Sequence, residues 1–447
     1  MTVLFQINQL INRQRVQKTS INLRIITTKI KMQKLRIAIV VGTFPTISET
    51  FIVNQINALI AAGHDVQVFA FKKGEAHQVH ASVKTHDLLS NVIYNQKKKR
   101  IHLKNYVVFF RWLFSNLFMI RWGELIKSLD VFRHGKKALK LEVYFAAQWF
   151  LVGEKYDIIH SHFGPNAQRI AMVKSMGFMK NTKLITTFHG YDLIPNNAEA
   201  YNQQYKSLLK ETTSFTINSV YLKCLLSRLN IRNKSTHILP VGLSTEYFKK
   251  SQNKDKPNVF KILFCGRLVK LKGPDLAIDI FNDLLSRGHN HVILTIVGEG
   301  QLKEALLDQI KTSKLEKKVF IKGALTQERV REEMDDSDIL IMPGIHDPKT
   351  KRAETQGLVI QEAQAMELPV IVSDVGGMKY GMIPNETGFV VKEGDVNGFA
   401  DAIEKLINNE ELRSKMGKRG REYVVTHFDN DVLREKLLAI YYSALKP

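Results

Sequence analysis

Short runs of β-branched and apolar residues alternate with segments of helical periodicity along this chain, and the alternation runs through two separate series. In the first, Ile37–Val41 is a continuous apolar run, as expected of a strand buried on both faces of a parallel sheet. It ends at Gly42-Thr43-Phe44-Pro45. Phe51, Ile52, Ile56, Leu59 and Ile60 then fall on one side of a helix, and Val66–Ala70 supplies the next strand. Ile158–His160, Leu184–Phe188, Phe215–Ile217 and His237–Leu239 continue this series. Residues 249–258 are polar and unpatterned and read as a linker. Strands are expected again at Lys261–Cys265, Val292–Val297, Val319–Lys322, Ile339–Met342, Val370–Ser373 and Gly388–Val391, followed by an apolar-periodic helix over Val432–Leu445. The pattern predicts two doubly wound α/β halves, and 447 residues suffice for both. Ligands of such sheets bind at the carboxyl ends of the strands, so facing halves would hold a site between them.

The strand ends are therefore where chemistry is expected. After the strand ending at Cys265 comes Gly266-Arg267-Leu268 with Lys272-Gly273-Pro274 opening a helix. A glycine turn, a helix start and the cations Arg267 and Lys272 suit a diphosphate that gains charge as it leaves; the bland reading is a basic loop that caps a helix. Glu354-Thr355-Gln356-Gly357-Leu358-Val359-Ile360-Gln361-Glu362 follows the strand-and-loop 339–347. Carboxylates there accept from vicinal hydroxyls, Glu354 from a sugar and Glu362 from a ribose, while free amides at the helix start face phosphate. In the first half His189 directly follows a strand within Phe188-His189-Gly190-Tyr191-Asp192. It is read as a donor to a sugar hydroxyl or to the phosphate of a departing nucleotide, with Asp192 orienting it or capping the next turn; a structural histidine is the competing reading. His160 and His162 lack a carboxylate or thiolate at ligand spacing and are read as lining the cleft, not as a metal set. Asp336-Ser337-Asp338 precedes its strand instead of following it and is set aside as a metal motif.

Charge and aromatic content bear on partners. The net charge is +22; residues 1–36 carry eight Lys/Arg and no acid, and residues 95–140 carry twelve against Glu124 and Asp130, together eighteen of that total. Such charge attracts anionic lipid or nucleic acid, or forms a solvated basic face. The basic segments hold no nucleic-acid motif. The stretch Tyr106–Trp122 is rich in aromatics and follows Lys97-Lys98-Lys99-Arg100, which is the make-up of an interfacial helix, with Phe109, Phe110, Trp112, Phe118 and Trp122 as candidates to meet membrane or a membrane-held acceptor. A helix buried in the first core is the alternative. Cys224 and Cys265 stand in separate contexts without zinc or disulfide spacing. With no run long enough to span a bilayer and no cleaved leader pattern, a cytoplasmic protein held peripherally at the inner face of the plasma membrane is expected. Residues 1–31 read either as a basic tail or as an extension upstream of a start at Met32.

Taken in order, Gly266-Arg267-Leu268 to Gly273, Val297-Gly298-Glu299-Gly300, Glu354 to Glu362, and Gly376-Gly377 ahead of Gly388–Val391 resemble glycosyltransferase family 4. Phe44–Ile52, His160–Gly164 and Phe188–Asp192 resemble its colanic acid and exopolysaccharide branch, and the likeness runs from about Leu35 onward. The resemblance implies a GT-B fold, two Rossmann-like domains facing across a cleft, over 35–250 on the acceptor side and 258–426 on the nucleotide-sugar side. Residues 1–34 would be a basic extension and 427–447 a helix crossing back to the first domain. It implies a retaining hexosyltransferase without metal or other cofactor, taking a nucleoside diphosphate sugar to a lipid-linked glycan acceptor. Arg267 and Lys272, after Gly266, would hold the diphosphate, Glu354 the donor sugar and Glu362 the ribose. Gln356, Gly357, Leu358 and Val359 would meet phosphate through backbone amides, His189 would sit beside the transferred sugar, and Gly42 and Thr43 would approach it. Two departures stand out: Thr355 where the family has glycine, with glycine delayed to Gly357, and Met378-Lys379-Tyr380 where it has Ile-Pro-Glu. A sugar-nucleotide 2-epimerase and a catalytically decayed sugar-nucleotide-binding protein are the competing functions.

Overall fold

The computed structural model describes residues 33–46, 49–74, 88–95, 102–231, 233–251 and 259–446. The basic residues 1–31 and Lys97–Arg100 lie outside them. Two all-parallel sheets form, as the alternation predicts. The first has β1 (Arg36–Phe44), β2 (Asp65–Lys73), β3 (Val92–Tyr94), β4 (Ile158–His162), β5 (Lys183–Phe188), β6 (Ser214–Ile217) and β7 (Ser235–Ile238), in the order β3-β2-β1-β4-β5-β6-β7. The second has β8 (Phe260–Cys265), β9 (Val292–Val297), β10 (Val319–Gly323), β11 (Ile339–Met342), β12 (Val370–Ser373) and β13 (Gly388–Val391), in the order β10-β9-β8-β11-β12-β13. In each, the order reverses beside the first strand of the series, so a switch point opens at the carboxyl ends of β1 and β4, and again of β8 and β11. β11 and β12 are buried along their whole length, which explains why they read as almost wholly apolar runs; β4 is as deeply buried but carries His160, Ser161 and His162. β3 escaped the sequence because it is three residues long and lies on the sheet edge.

Each sheet is covered on both faces. The final helix, Asn430–Leu445, places Leu437, Leu438, Tyr441 and Ala444 in the core formed by Ile37, Ile39, Val41 and the helix Thr50–Ala61 of the first half. Its Asp429 cap also accepts from the Thr245 hydroxyl at 2.6 Å, so the chain that leaves the second half is fastened to the segment that enters it.

The aromatic stretch divides. The helix His102–Ser115 ends where the Asn116 side chain donates to the Trp112 carbonyl at 2.7 Å, supplying a partner to the last turn. A new helix, Trp122–Leu129, starts after the bend. Phe109 and Trp112, expected at a membrane or acceptor surface, are instead in the core: three residues apart, they share a helix face and meet Tyr144 edge-on at 4.9 and 5.1 Å. Phe110, Phe118 and Trp122 do face out, and Phe118 is 99% exposed. Trp112→Ala should therefore cost about 3–5 kcal/mol in chemical denaturation, the range for emptying a buried aromatic site. Phe118→Ala should stay within about 0.5 kcal/mol of the parent.

Candidate active site

The donor-side candidates converge at the ends of β8 and β11. Gly273 adopts φ +69° between Lys272 and Pro274, and a Cβ there would sit 1.9 Å from the Pro343 carbonyl, so the loop after β8 packs against the loop after β11 only with glycine at this position. That packing sets Lys272 against Glu354 in a close ion pair. One Glu354 oxygen turns back to accept from the amides of Thr355 (3.1 Å), Gln356 (3.4 Å) and Gly357 (3.2 Å). Gly357, at φ +75°, then caps the helix Leu358–Ala365, whose first amides, on Leu358 and Val359, lack intrahelical acceptors. Burial alone would raise the Glu354 carboxyl. The Lys272 ammonium and the loop amides outweigh it and hold the group below its ordinary value, so it is an anion at neutral pH. Glu362, one turn into that helix, has no such cation and burial pushes it up to about 7. Gly266 borders the Lys272 stem, and Arg267 is exposed at the cleft wall.

Across the cleft stands His189. A hollow between the halves is lined by His189, Gly190 and Tyr191 from the first half and by Arg267, Glu354 and Thr355 from the second. The structure thus brings His189, Arg267, Lys272, Glu354 and the 355–359 loop together. Gly42 and Thr43 lie at the end of β1, two strands from β5, with Gly42 against Asn166.

His160 and His162 do not line the cleft. They are 0% and 1% exposed and sit beneath His189, because inward-facing side chains of β4 enter the core. His160 Nδ1 accepts from the Gln55 amide at 3.1 Å, which leaves its proton on Nε2, donating to the Thr187 hydroxyl at 2.5 Å. The same Nδ1 meets Tyr441 of the final helix at 2.6 Å. His162 Nδ1 and His189 Nε2 are 3.0 Å apart with ring planes within 19°, so the contact runs nearly in the plane of both rings. Burial, and for His160 and His189 the neighbouring imidazoles, push all three well below the ordinary histidine value, His162 to about 3. His189 is therefore neutral, and the cations lining the hollow are Arg267 and Arg352, while Lys272 is paired with Glu354. Asp192 orients backbone instead of a ring: it accepts from the amides of Gly164 (2.9 Å), His189 (3.1 Å) and Gly190 (2.9 Å).

Three connections escaped the sequence. The Gln356 side chain, not only its backbone, is engaged, exchanging two 2.8 Å hydrogen bonds with the Val241 peptide. Asn218 and Thr355 meet across the cleft at 3.0 Å; Asn218 follows β6, and the strand-end rule would have flagged it. Tyr441 is 281 positions from His160, beyond any local signal. The Lys379 departure is neutralised by Asp374 at 2.6 Å. Asp336 and Asp338 both hold Lys261, one by its ammonium and one by its amide, in keeping with a structural role.

Two facing Rossmann-like sheets with a cationic, helix-capped loop opposite a neutral histidine define a GT-B protein. The family described as "Glycosyltransferase Family 4" matches residues 48–247, and "Glycosyl transferases group 1" matches residues 244–423. Among relatives, WcaL of Escherichia coli (strain K12), named for colanic acid biosynthesis, is 23% identical over 89% of this chain and 97% of its own length. The amylovoran biosynthesis glycosyltransferase AmsK of Erwinia amylovora is 24% identical over the same shares. Among solved structures, a glycosyltransferase from Rickettsia africae ESF-5 superposes with a TM-score of 0.66 at 20% identity, covering 93% of this chain and 99% of that one. Anabaena Alr3699/HepE in complex with UDP gives 0.64 at 16% identity, covering 92% and 100%. The chain thus joins a domain matching Glycosyltransferase Family 4 to a domain matching the glycosyl transferases of group 1.

Lys272→Met should leave Glu354 with only its amides and lower stability by about 3 kcal/mol, the lower end of the range for stripping one member from a buried pair. A carboxyl held low stabilises the fold above its unfolded value and loses that contribution as pH falls. The deficit measured by urea denaturation should accordingly be largest at neutral pH and shrink toward pH 4.

Proposed function

We propose that this enzyme is a retaining hexosyltransferase that moves a sugar from a nucleoside diphosphate to a lipid-linked glycan precursor of an exopolysaccharide, capsule or other envelope glycan. The observation that carries the proposal is the Lys272–Glu354–Gly357 loop standing opposite His189 across one cleft. In it, Arg267, Lys272 and the Leu358 and Val359 amides meet the diphosphate, Glu354 takes donor-sugar hydroxyls and Glu362 takes the ribose. Gly42 and Thr43, at the end of β1, approach the transferred sugar from the first half. Glu354 and His189 are both weak bases, one held anionic by Lys272 and the other neutral with a depressed proton affinity. The departing phosphate oxygen is the better acceptor of a proton. The anomeric carbon–phosphate oxygen bond breaks, a bond to the acceptor oxygen forms on the same face, the acceptor's proton passes to that phosphate oxygen, and nucleoside diphosphate leaves. Retention follows. The names of WcaL and AmsK, which span nearly the whole chain, support a polysaccharide product.

Glu354→Gln should lower transfer into the lipid fraction at least 100-fold when source membranes are supplied with a panel of nucleoside diphosphate sugars, and product NMR should show the donor's anomeric configuration. Sugar epimerisation without membranes would favour the epimerase, and binding without turnover the decayed protein.

The acceptor's setting is an anionic bilayer at the cytoplasmic face. Among the described residues no helix is long and apolar enough to cross a membrane. Phe110, Phe114, Phe118, Ile126 and Phe132 are 50–105% exposed in one segment of the first half, interspersed with exposed Arg111, Lys136, Lys137 and Lys140. Rings for the headgroup zone beside cations for its phosphates make anionic lipid the matching partner. Each buried phenylalanine contributes about 1.5–3 kcal/mol. Replacing Phe118 and Phe132 together by Ser should cut binding to phosphatidylglycerol vesicles at least tenfold in flotation, with phosphatidylcholine vesicles weakly bound by both forms. Equal flotation of parent and variant would exclude this surface.

A further inference from the structure

Thr355, one of the two departures from the resemblance, sends its side chain across the cleft. Its hydroxyl donates to the His189 carbonyl at 3.1 Å and accepts from the Asn218 amide at 3.0 Å. The Asn218 amide also reaches the His189 carbonyl at 3.4 Å, closing a three-membered set of hydrogen bonds. The orientation of that amide is fixed from behind, since the Ser219 hydroxyl donates to Asn218 Oδ1 at 3.1 Å and turns Nδ2 toward Thr355. Asn218 and Ser219 are 7% and 4% exposed, so water competes little for these bonds.

Gly190 completes the fit. It is held at φ +122°, and a Cβ there would lie 2.4 Å from the Thr355 methyl, so the first half approaches this residue as closely as a bare backbone allows. On the other side of the same residue, the Thr355 backbone amide donates to Glu354. The neighbouring Gln356 side chain grips Val241 in the segment that joins the halves. Consecutive residues of one loop thus reach the donor carboxylate, the histidine strand end and the interdomain segment.

We propose that Thr355 is a positioning residue that ties the donor loop to the backbone of His189, so that the histidine takes its place over the sugar only when this loop is in register across the cleft. The role rests on the transferase reading above and adds to it a residue whose hydroxyl is engaged by the opposite half. It acts through the His189 carbonyl. A glycine at 355 has no hydroxyl to make this connection.

Thr355→Val keeps the shape and removes the hydroxyl, and Thr355→Ser keeps the hydroxyl. In hydrogen–deuterium exchange of the protein without nucleotide, the Val variant should speed exchange of the peptide spanning 188–192, on the opposite half, several-fold, while the Ser variant exchanges like the parent. In turnover, the Val variant should lose about tenfold in kcat with the donor KM within twofold, and Ser should restore kcat. Exchange at 188–192 unchanged in the Val variant overturns the proposal whether or not transfer is detected, and so does a Ser variant as impaired as Val. Absence of transfer by the parent protein would count against the transferase reading alone, because the exchange measurement needs no turnover.

Discussion

The Glu354 carboxylate is the point on which the second half's site turns. A carboxylate withdrawn from water this far must find cations and donors, or it protonates. Lys272 and the amides of the following turn supply them, and in doing so they fix three things at once: the approach of the loop after β8 to the loop after β11, the left-handed Gly357 that starts the next helix, and the direction in which Thr355 and Gln356 leave the turn. The ion pair nets to zero charge. Much of the pull on an incoming anion therefore comes from Arg267, Arg352 and the open amides of Leu358 and Val359, and a ligand that engages Glu354 competes for it with Lys272 and the loop's own backbone.

The first half answers with neutrality. Three imidazoles stacked into an interior would be prohibitively costly as cations, and their surroundings lower their proton affinity accordingly. This makes His189 a hydrogen-bonding group of fixed charge across the ordinary pH range, held by His162 beneath and by backbone amides that Asp192 gathers. Opposing a charge-paired loop to an uncharged ring avoids mutual repulsion when the halves meet, and it leaves hydrogen bonds such as those of Thr355 to determine their register.

Much of this was legible in the sequence because parallel strands buried on both faces write themselves as apolar runs. The six strands of the second sheet and the strand ends carrying Gly266, His189 and Glu354 were found that way. β3 was not, being three residues on an edge, nor was the break at Asn116, where a side-chain cap ends a helix that hydropathy alone would have continued. Phe109 and Trp112 looked identical in kind to Phe110 and Phe118; contacts distant in the chain, such as that with Tyr144, sort inner from outer. The Asp336-Ser337-Asp338 motif precedes its strand, and both of its carboxylates hold Lys261. The Thr355 departure was visible as an oddity, but its partners His189 and Asn218 directly follow β5 and β6, and no local pattern connects them.

The final helix gives the chain an order of completion. Leu437, Leu438 and Tyr441 fill the core around β1, and Tyr441 reaches the His160 ring that lies beneath the cleft histidines. During synthesis the first half emerges early, yet that face of its sheet and the base of its histidine stack stay uncovered until the helix made after the whole second half arrives. A ribosome-bound first half therefore holds His189 over an unfinished foundation, and the two walls of the cleft become a site together.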